Sequence, residues 1–307
     1  MSESLERLRH QLDGAAKLGN VVRTMKTMAA ANIGHYEEAV ASLARYRETL
    51  DRGLAACLRA APTPPGLLTA PASDAPRAPG LVAFGSDQGL VGDFNEALAA
   101  QVARDAGVRD GDTHATRVPL LWVVGERLAH ALEDQGYVIA RCHPCPWGIE
   151  AVGALVGELL LDIEAARSTG QVASVHLYAN HPGGASGRRP VSERLLPLDR
   201  AWREARLRTH WPGHCLPEAL GGTGATLPAL LRQHLFLSLF AACANSLAAE
   251  NLSRLLAMQR AERNIDELVD ELGRRYHRER QAAIDDELFD LVAGFEALQG
   301  RTPRPPP

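Results

Sequence analysis

The chain has 307 residues, 46% of them hydrophobic, and a formal net charge of −4 at pH 7. This length allows one large domain or two smaller ones with a real core, and the slightly acidic balance does not favour nucleic acid as a partner. The charged N-terminus has no apolar signal segment, and no uninterrupted apolar run approaches the roughly 18 residues of a spanning helix. We therefore expect a soluble, intracellular protein.

The first predicted element is a long helix over residues 1–60, a stretch without proline. Its glycines at positions 14, 19 and 34 weaken an isolated helix, so we expect it to need a partner surface. A proline- and alanine-rich linker follows at 61–80. Apolar side chains step by three and four at Leu5, Leu8, Leu12 and Ala15, and Val22, Met25 and Ala29 continue the same stripe.

The middle of the chain, 81–205, alternates short apolar runs with helix-like stretches. This alternation predicts a mostly parallel sheet with helices packed on its faces, a Rossmann-like α/β domain. A connecting segment follows at 206–228. The predicted strands are 80–86, 119–125, 137–142 and 174–180, and the predicted helices are 94–106, 126–135 and 149–167.

The last predicted element is a helix over 229–299, followed by a disordered tail at 300–307. As one helix it would be on the order of 105 Å long, too long to lie on its own domain. We expect it to form a long antiparallel coiled coil with helix 1–60; the alternative is a break into shorter helices near Gly273. Its heptad-like apolar positions are Met258, Ala261, Ile265, Leu268, Leu272, Ile284, Leu288, Leu291, Phe295 and Leu298.

The stretch "GSDQGLVGDFNEAL" at 85–98 is laid out like a phosphate-binding loop between a strand and a helix. It lacks the lysine of a Walker-type loop and the G-x-G-x-x-G spacing of a dinucleotide site. Asp87 and Asp93 would also repel a phosphate. We therefore predict a structural turn, in which Gly89 and Gly92 supply the conformation and Asp93 or Asn95 caps the next helix.

A single C-x-x-C, Cys142 to Cys145, is the strongest metal-like pattern in the chain. Zinc would need a second ligand pair, for which His214 and Cys215 are the candidates. We favour a loop with two reduced thiols beside Trp147, and we expect neither a metal site nor a cofactor site. No catalytic motif is present elsewhere, so we do not expect a catalytic chain.

Three stretches together point to a known family: "TMKTMAAANI" at 24–33, "SDQGLVGDFN" at 86–95 and the terminal run 246–298. In this order they resemble the γ subunit of F-type rotary ATP synthases, and the departures resemble the γ subunit of alternative, N-type ATPases. The resemblance implies a non-catalytic central-stalk rotor that couples ion flow to ATP synthesis or hydrolysis. Its expected partners are the α and β subunits, the ε subunit and the membrane c-ring, at the cytoplasmic face of the bacterial membrane.

The resemblance also implies which residues contact the stationary subunits. The residues matched to the family's rotor–stator contacts are Met25, Glu250, Arg254, Arg280, Gln281 and Glu287. Asp285 and Asp286, close to the last of these, depart from the family pattern.

The alternative hypothesis is a ligand-binding α/β module with a coiled-coil dimerisation arm and a small-molecule site near Gly89.

Overall fold

The computed structural model describes residues 3–60, 78–109, 118–208, 219 and 222–299. The predicted tail 300–307, residues 61–77 of the predicted linker and most of 209–221 lie outside these ranges. The helices and strands are α1 (Glu3–Ala60), β1 (Ala78–Phe84), α2 (Phe94–Arg109), β2 (Leu120–Val124), α3 (Glu126–Glu133), β3 (Ile139–His143), α4 (Ile149–Ser168), β4 (Val172–Pro182), β5 (Arg188–Leu196), α5 (Arg200–Leu207) and α6 (Thr223–Gln299).

The described residues divide into two compact units. The larger unit is the stretch 28–257, which contains the sheet. The smaller unit joins the beginning of α1, up to Thr27, to the end of α6, from Met258 onward. Each terminal helix thus contributes residues to both units.

The five strands of the larger unit form one sheet in the order β3-β2-β1-β4-β5. The first four strands pair in parallel, and β5 pairs with β4 in the antiparallel direction. The α/β class with a mostly parallel sheet is therefore confirmed. The sequence reading missed β5, whose Pro190 and charged residues are unusual in a central strand but acceptable at a sheet edge.

Both faces of the sheet are covered, so its strands are apolar on both sides. Alternate side chains of β1 enter different clusters: Val82 and Phe84 pack with α1, α4 and α6, whereas Leu81 and Ala83 pack with α2 and α3. This alternation follows from the period of two along a strand. The helices of the two faces hold the strands in place and fix the loops at their ends.

Helix α6 runs without interruption from Thr223 to Gln299, past Gly273. It begins six residues before the expected position 229, and Pro228 lies inside it. The helix also contains an 18-residue window with mean hydropathy 1.4, contrary to the expectation from uninterrupted apolar runs, and 56% of that window is buried. This burial is typical of a core helix in the larger unit.

In the smaller unit the two helices pack antiparallel. A Cβ atom added at Gly19 would lie 3.5 Å from Cγ2 of Ile265, so this glycine allows a close approach of the helices. Further along α1, Arg23 and Lys26 both pair with Glu262, which lies earlier on α6. The buried side chains recur in multiples of seven on α6, as in a coiled coil; they are Leu5, Ala15 and Val22 of α1 and Met258, Ile265 and Leu272 of α6.

Candidate functional site

The loop between β1 and α2 makes a tight turn, in which two residues have a left-handed backbone conformation. Leu90 has a φ of 64° and Gly92 a φ of 66°. Gly89, which the sequence suggested for this role, does not have a positive φ, and a Cβ atom there would meet only an Arg127 nitrogen at 3.9 Å. Gly85 is required for another reason: its Cβ atom would lie 2.2 Å from Cβ of Leu128.

The polar side chains of this loop bind the protein's own backbone. Asp87 accepts hydrogen bonds from the backbone N–H of Glu126 at 3.0 Å and of Cys145 at 2.8 Å. It therefore ties together the loops that follow β1, β2 and β3. Asp87, which we predicted would repel a phosphate, thus organises one end of the sheet.

Asn95 lies inside the first turn of α2 and is buried. Its side-chain oxygen accepts from the Ser86 backbone N–H at 3.0 Å, and its amide donates to the Ser86 hydroxyl at 2.9 Å. Asn95 therefore closes the turn rather than capping the helix. Asp93 immediately precedes α2 and forms an ion pair with Arg188 of β5.

Glu250 and Arg254 form a buried ion pair on α6. Nη2 of Arg254 donates to Oε1 of Glu250 at 2.6 Å, and both side chains are largely buried. Burial raises the pKa of Glu250, the adjacent guanidinium opposes this shift, and the Asp87 charge adds to it. Burial followed by the Glu250 charge likewise raises the pKa of Tyr36 on α1. The pair thus belongs to the interior of the larger unit.

Met25 lies in the smaller unit, half-buried, among polar contacts between α1 and α6. The Lys26 ammonium donates to Oε2 of Glu262 at 2.5 Å, and Nε of Arg23 lies 3.3 Å from the other carboxylate oxygen. The hydrogen bond from Lys26 is the main reason why the pKa of Glu262 is lowered. These contacts fix the register of the two helices beside Met25.

Arg280, Gln281 and Glu287 are exposed on α6. They lie on the same helix as one another but in a different unit from Glu250 and Arg254. Every side chain from Ile284 to Phe295, a segment that includes Glu287, is exposed. The large apolar residues of this segment are Ile284, Leu288, Phe289, Leu291, Val292 and Phe295.

The C-x-x-C pair lies at the end of β3. Cys142 is exposed, whereas the Cys145 thiol is half-buried and donates to the Gly85 carbonyl at 3.4 Å. Burial raises the pKa of Cys145, so this thiol is a poor nucleophile. The candidate ligands His214 and Cys215 lie outside the described residues, and within those residues no group of three His, Cys, Asp or Glu side chains could hold a metal.

The sequence analysis did not predict the side chains whose hydrogen bonds join the helices to the sheet. The Ser246 hydroxyl of α6 donates to the Phe84 carbonyl at 2.8 Å, and the Asn180 amide of β4 donates to the Phe94 carbonyl at 3.1 Å. Both polar residues are buried within apolar segments. Their burial could not be predicted from the sequence, because Asn245 and His181 stand beside them; once buried, each polar group needs a partner.

Comparison with known proteins identifies the family. A family model described as "ATP synthase" matches residues 4–298. The ATP synthase gamma chain of Sorangium cellulosum is 26% identical and that of Anaeromyxobacter sp. (strain Fw109-5) is 27% identical; each alignment covers 96% of this chain and 99% of the relative.

Solved structures agree in fold. A chain in the mitochondrial ATP synthase structure of Euglena gracilis (OSCP/F1/c-ring) matches with a TM-score of 0.59 at 15% identity, covering 98% of this chain and 97% of that one. A chain in the central stalk/c-ring structure of the Tetrahymena thermophila enzyme has a TM-score of 0.51 at 19% identity, covering 78% and 99%. With the family match extending over nearly the whole chain, this protein belongs to the γ-subunit family of F-type ATP synthases.

Proposed function

We propose that this chain is the central-stalk rotor of a rotary ATP synthase and is not catalytic on its own. The observation that carries the proposal is the family match over residues 4–298, which includes both terminal helices and the sheet. In this role the chain turns inside a ring of α and β subunits, and its rotation couples ion flow through the membrane sector to ATP synthesis or hydrolysis. Its other partners are the ε subunit and the membrane c-ring.

The exposed end of α6 supports an intersubunit role. Six large apolar side chains between Ile284 and Phe295 are exposed on this segment. Exposed apolar surface of this extent is typical of a binding surface. We propose that it turns within an apolar bearing formed by the α and β subunits, with Arg280, Gln281 and Glu287 making polar contacts next to it.

The predicted contact residues divide by their accessibility. Arg280 is exposed, and its guanidinium can bind an acceptor through two hydrogen bonds and release it as the shaft turns. Met25 is half-buried beside the Lys26–Glu262 pair and remains a candidate contact to a β-subunit lever. Glu250 and Arg254 are buried in the larger unit, so we propose that they stabilise the rotor internally rather than contact the stator.

We further propose that the complex lies at the cytoplasmic face of a bacterial membrane, with this chain attached only through its partners. The assignment to an N-type complex stays a prediction from the sequence departures. The Asp87 and Asn95 side chains of the 85–95 loop bind the fold itself, which argues against the small-molecule site of the alternative ligand-binding module.

Reconstitution tests the proposed function directly. The chain is mixed with the α and β subunits of its own operon, and ATP hydrolysis is compared with each preparation alone. We expect the isolated chain to hydrolyse no ATP and the mixture to form a complex of three α, three β and one copy of this chain with ATPase activity. A stable homodimer that binds nucleotide and does not join α and β would instead support the alternative.

A further inference from the structure

Trp147 is the most exposed large hydrophobic residue in the described part of the chain, with 98% of its surface accessible. It precedes the N-terminus of α4, in a loop whose position is fixed by the hydrogen bond from the Cys145 backbone to Asp87. Tryptophan is seldom left in water without a reason, and it is enriched in the few residues that dominate protein interfaces. The side chain therefore needs an explanation outside its own fold.

Trp147 stands at the edge of a cavity of about 470 Å³ between this loop and α1. Tyr36 forms part of its inner wall, and Glu38 and Glu150 line it from the two sides. All these residues belong to the larger unit. The volume lies within the range of roughly 300–1,000 Å³ that is usual for binding pockets, and it suits an inserted side chain with part of its backbone.

The charged residues that line the cavity favour a positively charged occupant. Among its lining residues, all of which are described, there are two carboxylates, one histidine (His35) and neither lysine nor arginine. Neither Glu38 nor Glu150 has an ion-pair partner within the described ranges of the chain. Besides burial and the charge of Glu250, the Glu150 charge contributes to the raised pKa of Tyr36, so negative potential reaches the inner wall.

An exposed indole that lines the same cavity as two carboxylates is complementary to a cation. A guanidinium can stack on the indole face and bind a carboxylate through two hydrogen bonds, whereas an ammonium offers only a point charge. We propose that Trp147, Glu38 and Glu150 form a docking site for an arginine side chain presented by a neighbouring subunit of the complex. This inference rests on the proposed function, because it takes the occupant from the same assembly.

Site-specific cross-linking in the assembled complex tests the inference. The photoreactive amino acid p-benzoylphenylalanine replaces Trp147 in the full chain, which is assembled with the α, β and ε subunits of its operon, irradiated and analysed by peptide mass spectrometry. We expect a cross-link to a segment of one partner subunit that contains arginine. The matched control places the same amino acid at Leu161, which is also exposed but does not line the cavity, and should not link to that segment.

Substitutions then test the chemistry. Trp147→Ala should weaken binding of the cross-linked subunit by roughly ten-fold, and Trp147→Phe should weaken it less because the aromatic face remains. Glu38→Gln combined with Glu150→Gln should weaken binding and reduce its dependence on salt. Leu161→Ala should have no effect. The melting temperature of the isolated chain should stay unchanged in Trp147→Ala, since the indole makes little contact with its own fold.

The outcomes separate this inference from the proposed function. If the wild-type chain does not assemble with α and β, both are overturned. If the wild-type complex assembles and hydrolyses ATP while Trp147→Ala binds its partners normally, only the docking site is overturned. A cross-link to a segment without arginine overturns it as well. Tight binding of a small quaternary ammonium ion, for which choline serves as the probe, to the isolated chain also overturns it.

Discussion

Helix α6 has two parts that differ in what surrounds its apolar side chains. In the larger unit, leucines such as Leu231 and Leu239 are buried against the sheet and α1. In the smaller unit, the segment from Ile284 to Phe295 carries similar side chains that are all exposed. One uninterrupted helix is thus covered by its own chain in its first part, whereas the described residues leave the apolar surface near its end uncovered.

An apolar sequence pattern predicts burial but not the covering surface. Helical spacing predicts that one face will be buried, but it does not say whether the covering surface belongs to the same chain. The polar residues of a helix indicate whether its own chain covers the apolar face. The first part of α6 contains buried polar groups with internal partners, such as Ser246 bound to the Phe84 carbonyl, whereas the charged residues near the end are exposed.

The largest effect is expected from breaking the ion pair in the first part of α6. Arg254→Ala leaves the Glu250 carboxylate buried without its partner, which should cost about 3–5 kcal/mol of unfolding free energy. Because the pKa of the lone carboxyl is higher in the folded than in the unfolded state, the folded chain holds the proton more tightly, and stability falls as pH rises. Urea unfolding should therefore show a greater loss at pH 8 than at pH 5.

The matched control removes both charges. Glu250→Leu combined with Arg254→Leu replaces the pair by apolar groups of similar size and should be far less destabilising than Arg254→Ala alone. The double variant should also lose the extra pH dependence. If Arg254→Ala unfolds at the wild-type urea concentration, the pair does not belong to the core of the larger unit.

His234 gives the first part of α6 a second buried polar contact. Its Nε2 accepts a hydrogen bond from Nε1 of Trp202 at 3.2 Å, and burial, followed by the charges of Arg206 and Arg47, lowers the pKa of His234 to about 4. The unfolded chain takes up this proton at higher pH than the folded chain. Stability is therefore complete above pH 6.5 and is lost as pH falls toward 4, by about 3 kcal/mol for this group.

Urea unfolding at pH 7.5, 5.5 and 4.5 measures this loss. Since carboxyl groups also titrate in this range, the informative quantity is the difference between the wild type and His234→Gln. Glutamine can accept the Trp202 hydrogen bond without titrating, so its stability should fall less with acid. Parallel curves for the two proteins would contradict the assignment.

The hairpin between β4 and β5 tests how tightly the first part of α6 is packed. Gly187 has a φ of 81°, and a Cβ atom there would lie 3.1 Å from the Leu252 backbone carbon. Gly183 in the same hairpin also has a positive φ but has nothing within 4 Å. Gly187→Ala should cost about 1–3 kcal/mol more than Gly183→Ala, because only the former adds overpacking to backbone strain. Equal melting temperatures would show that the hairpin does not press on α6.

Much of this fold could be predicted from the sequence. The starts of α2, α3 and α4 were predicted correctly, because each follows a strand and a turn. The continuity of α6 from 229 onward followed from the absence of proline there, whereas its first six residues, which include Pro228, were not predicted. The edge strand β5 was missed because its apolar residues are too few to show a period of two. The side-chain role of Asp87 could not be predicted, since it depends on three loops that meet only in the folded sheet.

The candidate contact residues were predicted less completely than the fold. Similarity to a family gives positions, but it does not separate internal from intersubunit contacts. Glu250 and Arg254 fit the family motif as well as Arg280 does, yet only Arg280 is exposed. No motif marks Trp147 in the sequence, and the docking site that we propose for it rests on its exposure and on the two carboxylates that line the same cavity.

The smallest effect on the isolated chain is expected at the end of α6, and it tests most directly whether the two parts of this helix differ in what covers their apolar side chains. Leu239 and Leu291 lie on the same helix, but Leu239 is 0% exposed and Leu291 is 70% exposed. Leu239→Ala should cost about 2–5 kcal/mol of unfolding free energy, whereas Leu291→Ala should change it by less than about 0.5 kcal/mol. In the assembled complex we expect Leu291→Ala to lower the affinity for the α and β subunits, because its apolar surface is then buried by them. A large loss of stability in the isolated Leu291→Ala chain would mean that the end of α6 is covered by its own chain, and it would remove the physical argument for the apolar bearing.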